Sequence, residues 1–351
     1  MAYQQRPITK APDLLVENGQ YNLGCFNTPV KRANLIDYPN PYKLPLPKAL
    51  KGLQLREWQA FQLHGNGHFI MVAIYNAKKI SLVQFIVYDI KNNKKIKYEK
   101  KVPAWALTVP DNLHNSVASY TSGNFSLKAE HNLSNKSLEL TATIKNFGGL
   151  PEVKAHFTGL HDVSNYTPMV VCNPFSAGRV MYSHKCLMPM EGKLTIGDKH
   201  VVFEKGKSQL IIDDHKGYYP YPTEYDWVTG LGFDATGKMI GFNLTNNQVI
   251  NQDMYNENCL WYNGELHPRP PIKVERPDGV QGTWLITDAH GLVNLQFKPV
   301  IHTSVNINLL VLRSQYEGPY GFFTGYLQKT NGEKVAIENI FGMGEDFYLR
   351  A

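Results

Sequence analysis

The chain has 351 residues with 36 Lys+Arg against 30 Asp+Glu, a formal net charge of +6; 19% of its residues are charged and 43% hydrophobic. That balance buries a core and excludes disordered, solvating polymers, and the length exceeds the roughly 250–300 residues at which single cores stop growing, so two domains are expected. The aromatic load of 20 Tyr, 16 Phe and 5 Trp, beside 28 Gly and 21 Pro, favours strands and tight turns over helices.

From the amino terminus, residues 1–13 lack the apolar run of a secretory signal, and a short helix is expected near residues 11–17. Residues 69–75 read as a buried strand. His64 and His68 are four apart, but Gly65 and Gly67 between them favour a hairpin turn over a zinc-binding helix face. Residues 81–89 and 95–102 flank the polar turn Lys91-Asn-Asn-Lys94, and residues 125–131 and 138–144 alternate apolar and polar as a half-solvated antiparallel pair. Beyond residue 190, the turns Asp234–Gly237, Asn263–Gly264, Asp288–Gly291 and Thr330–Glu333 each separate strand-like runs. A weak internal echo relates the strand opened by Trp58 to that opened by Trp227, each followed by a Gly turn and further hairpins. Regular hairpins need closure to hide their edges. The expected fold is therefore all-β: two lipocalin-like antiparallel barrels in tandem with few short helices, over residues 20–189 and 190–351 after an extension of residues 1–19.

Other classes lose support in turn. The lysines are spread along the chain, so no nucleic-acid surface is expected, and no window has the roughly 18 apolar residues of a membrane-spanning helix. A cytoplasmic protein is the expectation. Cys25, Cys172, Cys186 and Cys259 form no CxxC pair and read as buried hydrophobes; His156, His161 and His184 are too dispersed to argue a metal site. There is no dinucleotide or Walker loop and no Gly-x-Ser-x-Gly elbow, so no cofactor is expected.

Several motifs in order carry a resemblance: Tyr182-Ser-His-Lys185, Met190-Glu-Gly-Lys-Leu194, Asp213-Asp-His-Lys-Gly217, the Trp227 strand, Gly241-Phe-Asn-Leu244, Asn256-Glu-Asn-Cys-Leu-Trp261, Tyr320-Gly-Phe-Phe-Thr-Gly325 and Gly342-Met-Gly-Glu345. From residue 20 onward the chain resembles a bacterial family catalogued only as a domain of unknown function, related to carotenoid hydratases of the hydroxyneurosporene synthase type and their two-barrel, lipocalin-like relatives. The resemblance implies paired calycin barrels holding long apolar molecules, and an acid on Asp213 or Asp214 with His215 as its neighbour.

The residues themselves point to two clusters. Asp213, Asp214 and His215 lead into Tyr218, Tyr219, Tyr221, Tyr225 and Trp227. A carboxyl kept protonated by desolvation can protonate an alkene, and aromatic faces stabilise the cation that forms. The same stretch also reads as a structural turn. Glu257 and Asn258, with Asn243 and Trp261, read either as a ligand site at a barrel mouth or as a closed hydrogen-bond network. The leading expectation is a barrel that binds a hydrophobic small molecule, lipid, fatty acyl or isoprenoid, with or without acid-catalysed conversion. The alternatives are a hydratase, isomerase or cyclase using an Asp acid, and carbohydrate processing by paired carboxylates among Asp214, Asp226 and Glu257.

Overall fold

A computed structural model describes residues 3–43, 46–78, 81–308 and 313–350. Strands dominate; among the described residues the helices are Lys48–Gly52 and three single 3-10 turns. The chain divides into two compact units, a larger one of residues 10–172 and 181–218 and a smaller one of residues 1–9, 173–180 and 219–351.

In the larger unit, antiparallel neighbours run in the order Lys94–Val102, Ser81–Asp89, His68–Asn76, Arg56–Gly65, Ser208–Gly217, Val180–Ile196, Val153–Leu160, Ser137–Ile144, Phe125–Asn132, Ser116–Ser122 and Leu107–Thr108. The sheet curls into a nearly closed barrel. Where its ends approach, Lys100 Nζ donates to Ser122 Oγ at 3.1 Å and lies over the Tyr120 ring. Alternation sends one side chain in two inward, and Phe61, Leu63, Phe85, Tyr98, Phe125, Leu127, Leu210 and Ile212 fill the interior as one cluster. At Asn66-Gly67 the φ values of 46° and 70° make a left-handed tight turn, so the His64–His68 stretch is the hairpin its glycines suggest.

The smaller unit is a half-barrel sheet in the order Glu265–Pro268, Cys259–Tyr262, Met239–Asn247, Thr223–Phe233, Lys334–Arg350, Tyr320–Gln328, Val293–Ile301, Trp284–Asp288 and Ile272–Glu275. Phe242, Trp284, Phe297 and Phe323 centre its core, with Phe297 stacked on Phe323 at 4.4 Å.

Two features differ from the sequence reading. Residues 11–17 form no helix: Val16–Glu17 pairs with Gln20–Tyr21 across Asn18-Gly19, whose φ values of 49° and 74° make a tight turn that wins over helical periodicity. The strand Val180–Ile196 runs unbroken across the boundary expected between residues 189 and 190, and residues 181–218 belong to the larger unit. Pro189 lies where the strand changes partners: its pairing with Ser208–Gly217 ends at Pro189, opposite Gln209, and its pairing with Val153–Leu160 begins at Met190.

Candidate functional site

The site is built on Ser208–Gly217, a strand buried along its whole length. Leu210 and Ile212 join the barrel core, so Asp214 and Lys216, two and four residues beyond Ile212, share the inward face. Asp213 and His215 take the opposite face. Period-2 alternation thus separates the two adjacent aspartates and gives them different chemistry.

On the outer face Lys185 Nζ lies 3.3 Å from the Asp213 carboxylate and His215 Nδ1 3.7 Å from it, and the His215 ring stacks on Trp58 at 4.2 Å. Burial raises the Asp213 pKa, but Lys185 and His215 outweigh it and hold the group below the usual carboxylate range. Asp213 is an anion locked in an ion pair.

On the inner face Gln59 Nε2 donates to Asp214 Oδ1 at 3.0 Å, and Gln59 Oε1 lies 2.8 Å from His131 Nε2. With the amide turned this way, His131 Nε2 carries the hydrogen and donates, which leaves Nδ1 as a lone-pair nitrogen. Burial pushes the Asp214 pKa up to about 6, against the opposing pull of Lys216 and Gln59. Burial, with His161 and Lys216, pushes His131 down to about 3, and burial alone pushes His161 down to about 4. His161 and His184 face each other with Nε2 atoms 3.2 Å apart, one neutral ring donating to the other, and burial holds His184 well below the ordinary range. Tyr182, on the same face of its strand as His184, is buried beside Asp214, which raises its pKa further. One end of the barrel therefore carries a dry polar layer of Gln59, His131, His161, His184, Tyr182 and Asp214 above an apolar floor.

A second layer lies one ladder step outward. Glu57 pairs in register with Lys216 as Gln59 does with Asp214. Lys216, fully buried, places Nζ 3.5 Å from Glu57 Oε1, and Lys78 holds Glu57 Oε2. Glu57 and Lys78 are also part of the wall of a cleft of about 680 Å³ lined by Ile36, Leu53, Leu55 and Trp105. Trp105 is 88% exposed there. Nearby tyrosines pack in pairs, Tyr21 stacked on Tyr38 at 3.9 Å and Tyr42 edge-on to Tyr218 at 5.9 Å. Burial, then Tyr42 and Glu57, raise the Tyr218 pKa.

The remaining sequence candidates lie in the smaller unit. Trp227 Nε1 donates to Asn243 Oδ1 at 2.6 Å, Asn243 Nδ2 to the Glu257 carbonyl at 2.9 Å, and Thr245 Oγ1 to Glu257 Oε1 at 2.9 Å. Asn258 accepts from the Thr245 N–H and donates to the Pro270 carbonyl, and Trp261 is buried in the adjoining strand. Together these residues form a hydrogen-bonded network. Tyr225 stacks on Phe347 at 4.9 Å and its hydroxyl donates to Glu345; Tyr219 packs on Phe175; Tyr221 is 62% exposed. Asp226 is ion-paired to Arg276 at 2.5 Å. Among the described residues no group of three or more His, Cys, Asp or Glu is arranged to hold a metal, and no helix is long and apolar enough to cross a membrane.

Residues 5–350 match the family described as a domain of unknown function, DUF2804. The chain belongs to that family. No curated protein sequence matches this DUF2804 chain. Its fold is similar to that of CghA in complex with Sch210972, at TM-score 0.57 and 9% identity over 96% of this chain and 97% of that one. A second CghA structure gives TM-score 0.54 at 9% identity over 85% and 88%. Kievitone hydratase from Nectria haematococca aligns at TM-score 0.46 and 10% identity over 94% and 98%. At such identities the likeness concerns the fold. Sequence reasoning singled out Asp214 in the DUF2804 chain but missed Gln59, His131, Lys216 and Glu57. Inward alternation along residues 56–65 and 125–132, where each apolar series ends in a polar residue, is the signal that marks them.

Proposed function

We propose that the larger unit binds an apolar small molecule and converts it by acid catalysis, with Asp214 as the proton donor. The observation that carries this reading is a fully buried carboxyl with its pKa raised to about 6, hydrogen-bonded through Gln59 to a neutral His131. Such a group retains its proton nearer neutrality than an ordinary aspartate, and the dry layer around it keeps water from levelling the acid. Proton transfer from Asp214 to a carbon–carbon double bond breaks the π bond and leaves a carbocation. The faces of nearby tyrosines stabilise such a charge, and Asp214, now a carboxylate, or the lone pair of His131 Nδ1 takes a proton back. Loss of a different proton gives isomerisation or cyclisation; capture of water gives hydration. The apolar cleft supports a hydrophobic substrate, lipid, polyene or isoprenoid, and the CghA fold accommodates a small molecule in its Sch210972 complex. Asp213 is the weaker donor, because its ion pair favours the anion.

The test is solvent deuterium incorporation into a panel of isoprenoid and polyene alkenes in D₂O, read by mass spectrometry. The wild-type protein should label at least one substrate and Asp214→Asn should not, while Asp213→Asn retains labelling wherever it folds. Carbon-13 NMR of the aspartate carboxyls should find one resonance, missing in Asp214→Asn, titrating near pH 6. A titration near pH 4, or equal labelling by wild type and Asp214→Asn, would overturn the assignment.

A further inference from the structure

We infer that the cleft face of the larger unit docks on the surface of an anionic lipid bilayer, with Trp105, Leu50 and Leu53 entering the interface and the cations around them meeting the head groups. Docking goes beyond the proposed function and does not depend on it, because vesicle binding is read without turnover.

The first observation is an exposed apolar rim. Trp105, 88% exposed, sits in the 3-10 turn Ala104–Ala106, and Leu50 and Leu53, 49% and 52% exposed, belong to the helix Lys48–Gly52 and its C-cap. The two segments border one cleft, lined by Ala49 and Leu53 from the helix side and by Ala104 and Trp105 from the turn. Single exposed apolar side chains are ordinary, but several around an apolar cleft make a patch, and such patches mark contact surfaces. An indole, with an apolar body and a polar N–H, suits the boundary of a bilayer, where one side is apolar and the other wet.

The second observation is charge. The stretches that line the cleft, residues 36–57, 76–78 and 101–106, hold six cations, Lys43, Lys48, Lys51, Arg56, Lys78 and Lys101, against two acids, Asp37 and Glu57. Both acids are engaged, Asp37 with Lys48 at 2.6 Å and Glu57 with Lys78, while Lys51 is buried on the Tyr38 carbonyl. Lys101, exposed and just before the Trp105 turn, is in no ion pair among the described residues. Even with Lys51 set aside, the rim keeps more positive charge than negative, the complement of an anionic surface. A stable protein partner takes about 20–30 residues a side, whereas a bilayer receives a few apolar side chains with cations beside them. For the apolar substrate of the proposed function, docking sets the cleft of about 680 Å³ against the phase in which such a molecule dissolves.

Co-sedimentation of the whole chain with vesicles tests this, using phosphatidylcholine with about 30% phosphatidylglycerol beside phosphatidylcholine alone. At about 0.1 M salt the wild type should bind the anionic vesicles about tenfold more tightly than the neutral ones, and about 1 M salt should remove the preference. Trp105→Ser should weaken anionic-vesicle binding about tenfold at either salt, the scale of one apolar side chain left in water, and Lys101→Glu about tenfold at low salt only. Val202, 50% exposed and outside the cleft, is the control: Val202→Ser should stay within about twofold of wild type. No binding to anionic vesicles, wild-type binding by Trp105→Ser or Lys101→Glu, or an equal loss in Val202→Ser would each overturn the inference. So would a wild-type dimer in sedimentation velocity that Trp105→Ser converts to monomer, which assigns the face to a second copy of the chain. Vesicle binding without deuterium labelling removes the acid chemistry alone; labelling without vesicle binding removes the docking alone.

Discussion

Asp213 and Asp214 are neighbours in sequence and opposites in chemistry, because a strand turns successive side chains to different faces. Asp213 meets Lys185 and stays charged; Asp214 meets Gln59 in a dry interior and holds its proton toward neutral pH. The second case has a thermodynamic cost with a definite sign. An acid whose folded pKa is raised stabilises the fold fully below its unfolded pKa and loses that contribution as pH rises through the folded value. From 3.8 to about 6, the penalty at pH 8 comes to about 3 kcal/mol. Asn at this position still accepts from Gln59 and carries no charge. Asp214→Asn should therefore exceed wild type in urea-unfolding stability at pH 8 by about 3 kcal/mol, with the gain vanishing by pH 3.5. A gain that does not depend on pH would mean that Asp214 is not the group responsible. The sequence places these aspartates side by side; it does not show which of them keeps its proton. That depends on Gln59, 155 positions away in the chain.

At the scale of strands and turns, local signals carried the reading except at residues 11–17, where the Asn18-Gly19 turn replaces the expected helix. Asn66-Gly67 and Asn263-Gly264 both adopt the left-handed φ values that asparagine and glycine tolerate, and each joins two strands as its sequence implies. Where structure depends on partners far off in the chain, the pattern is silent: His161 and His184 are too dispersed in sequence to argue a metal site, and the fold brings their Nε2 atoms to 3.2 Å. Glycines in mid-strand carry another kind of non-local information. A Cβ on Gly342 would lie 2.0 Å from the Thr229 carbonyl oxygen and 2.7 Å from Gly230 Cα, so Lys334–Arg350 and Thr223–Phe233 approach more closely there than any other residue allows. Gly342→Ala should cost at least about 1–3 kcal/mol by forcing these strands apart. Gly123→Ala, in a turn where an added Cβ meets nothing within 4 Å, should stay within about 0.5 kcal/mol. Comparable losses in the two variants, measured by thermal unfolding, would show that strand approach is not what fixes Gly342.

For the molecule as a whole, burying several neutral histidines decides how stability responds to acid. A base whose folded pKa is depressed contributes stability above its unfolded value, near 6.5, that is lost as pH falls toward the folded value. With His131 at about 3 and His161 at about 4, each should cost about 2 kcal/mol on going from pH 7 to pH 5, whereas Asp214 returns only about 1. The net should be a marked fall in urea midpoint over that interval, most of it absent from a His131→Gln, His161→Gln double variant; a flat profile in the wild type would contradict the neutral-histidine assignment. All-β architecture was legible from the hairpin grammar, but not that residues 1–9 and 173–180 join the smaller unit, because no local pattern encodes such returns. The packed floor of the larger barrel, with Phe61, Phe85, Phe125 and Ile212 beneath the polar layer, carries one more consequence. A ligand at the proposed site would rest on that packed floor, so substrate and product contest one space and inhibition by accumulated product should be competitive.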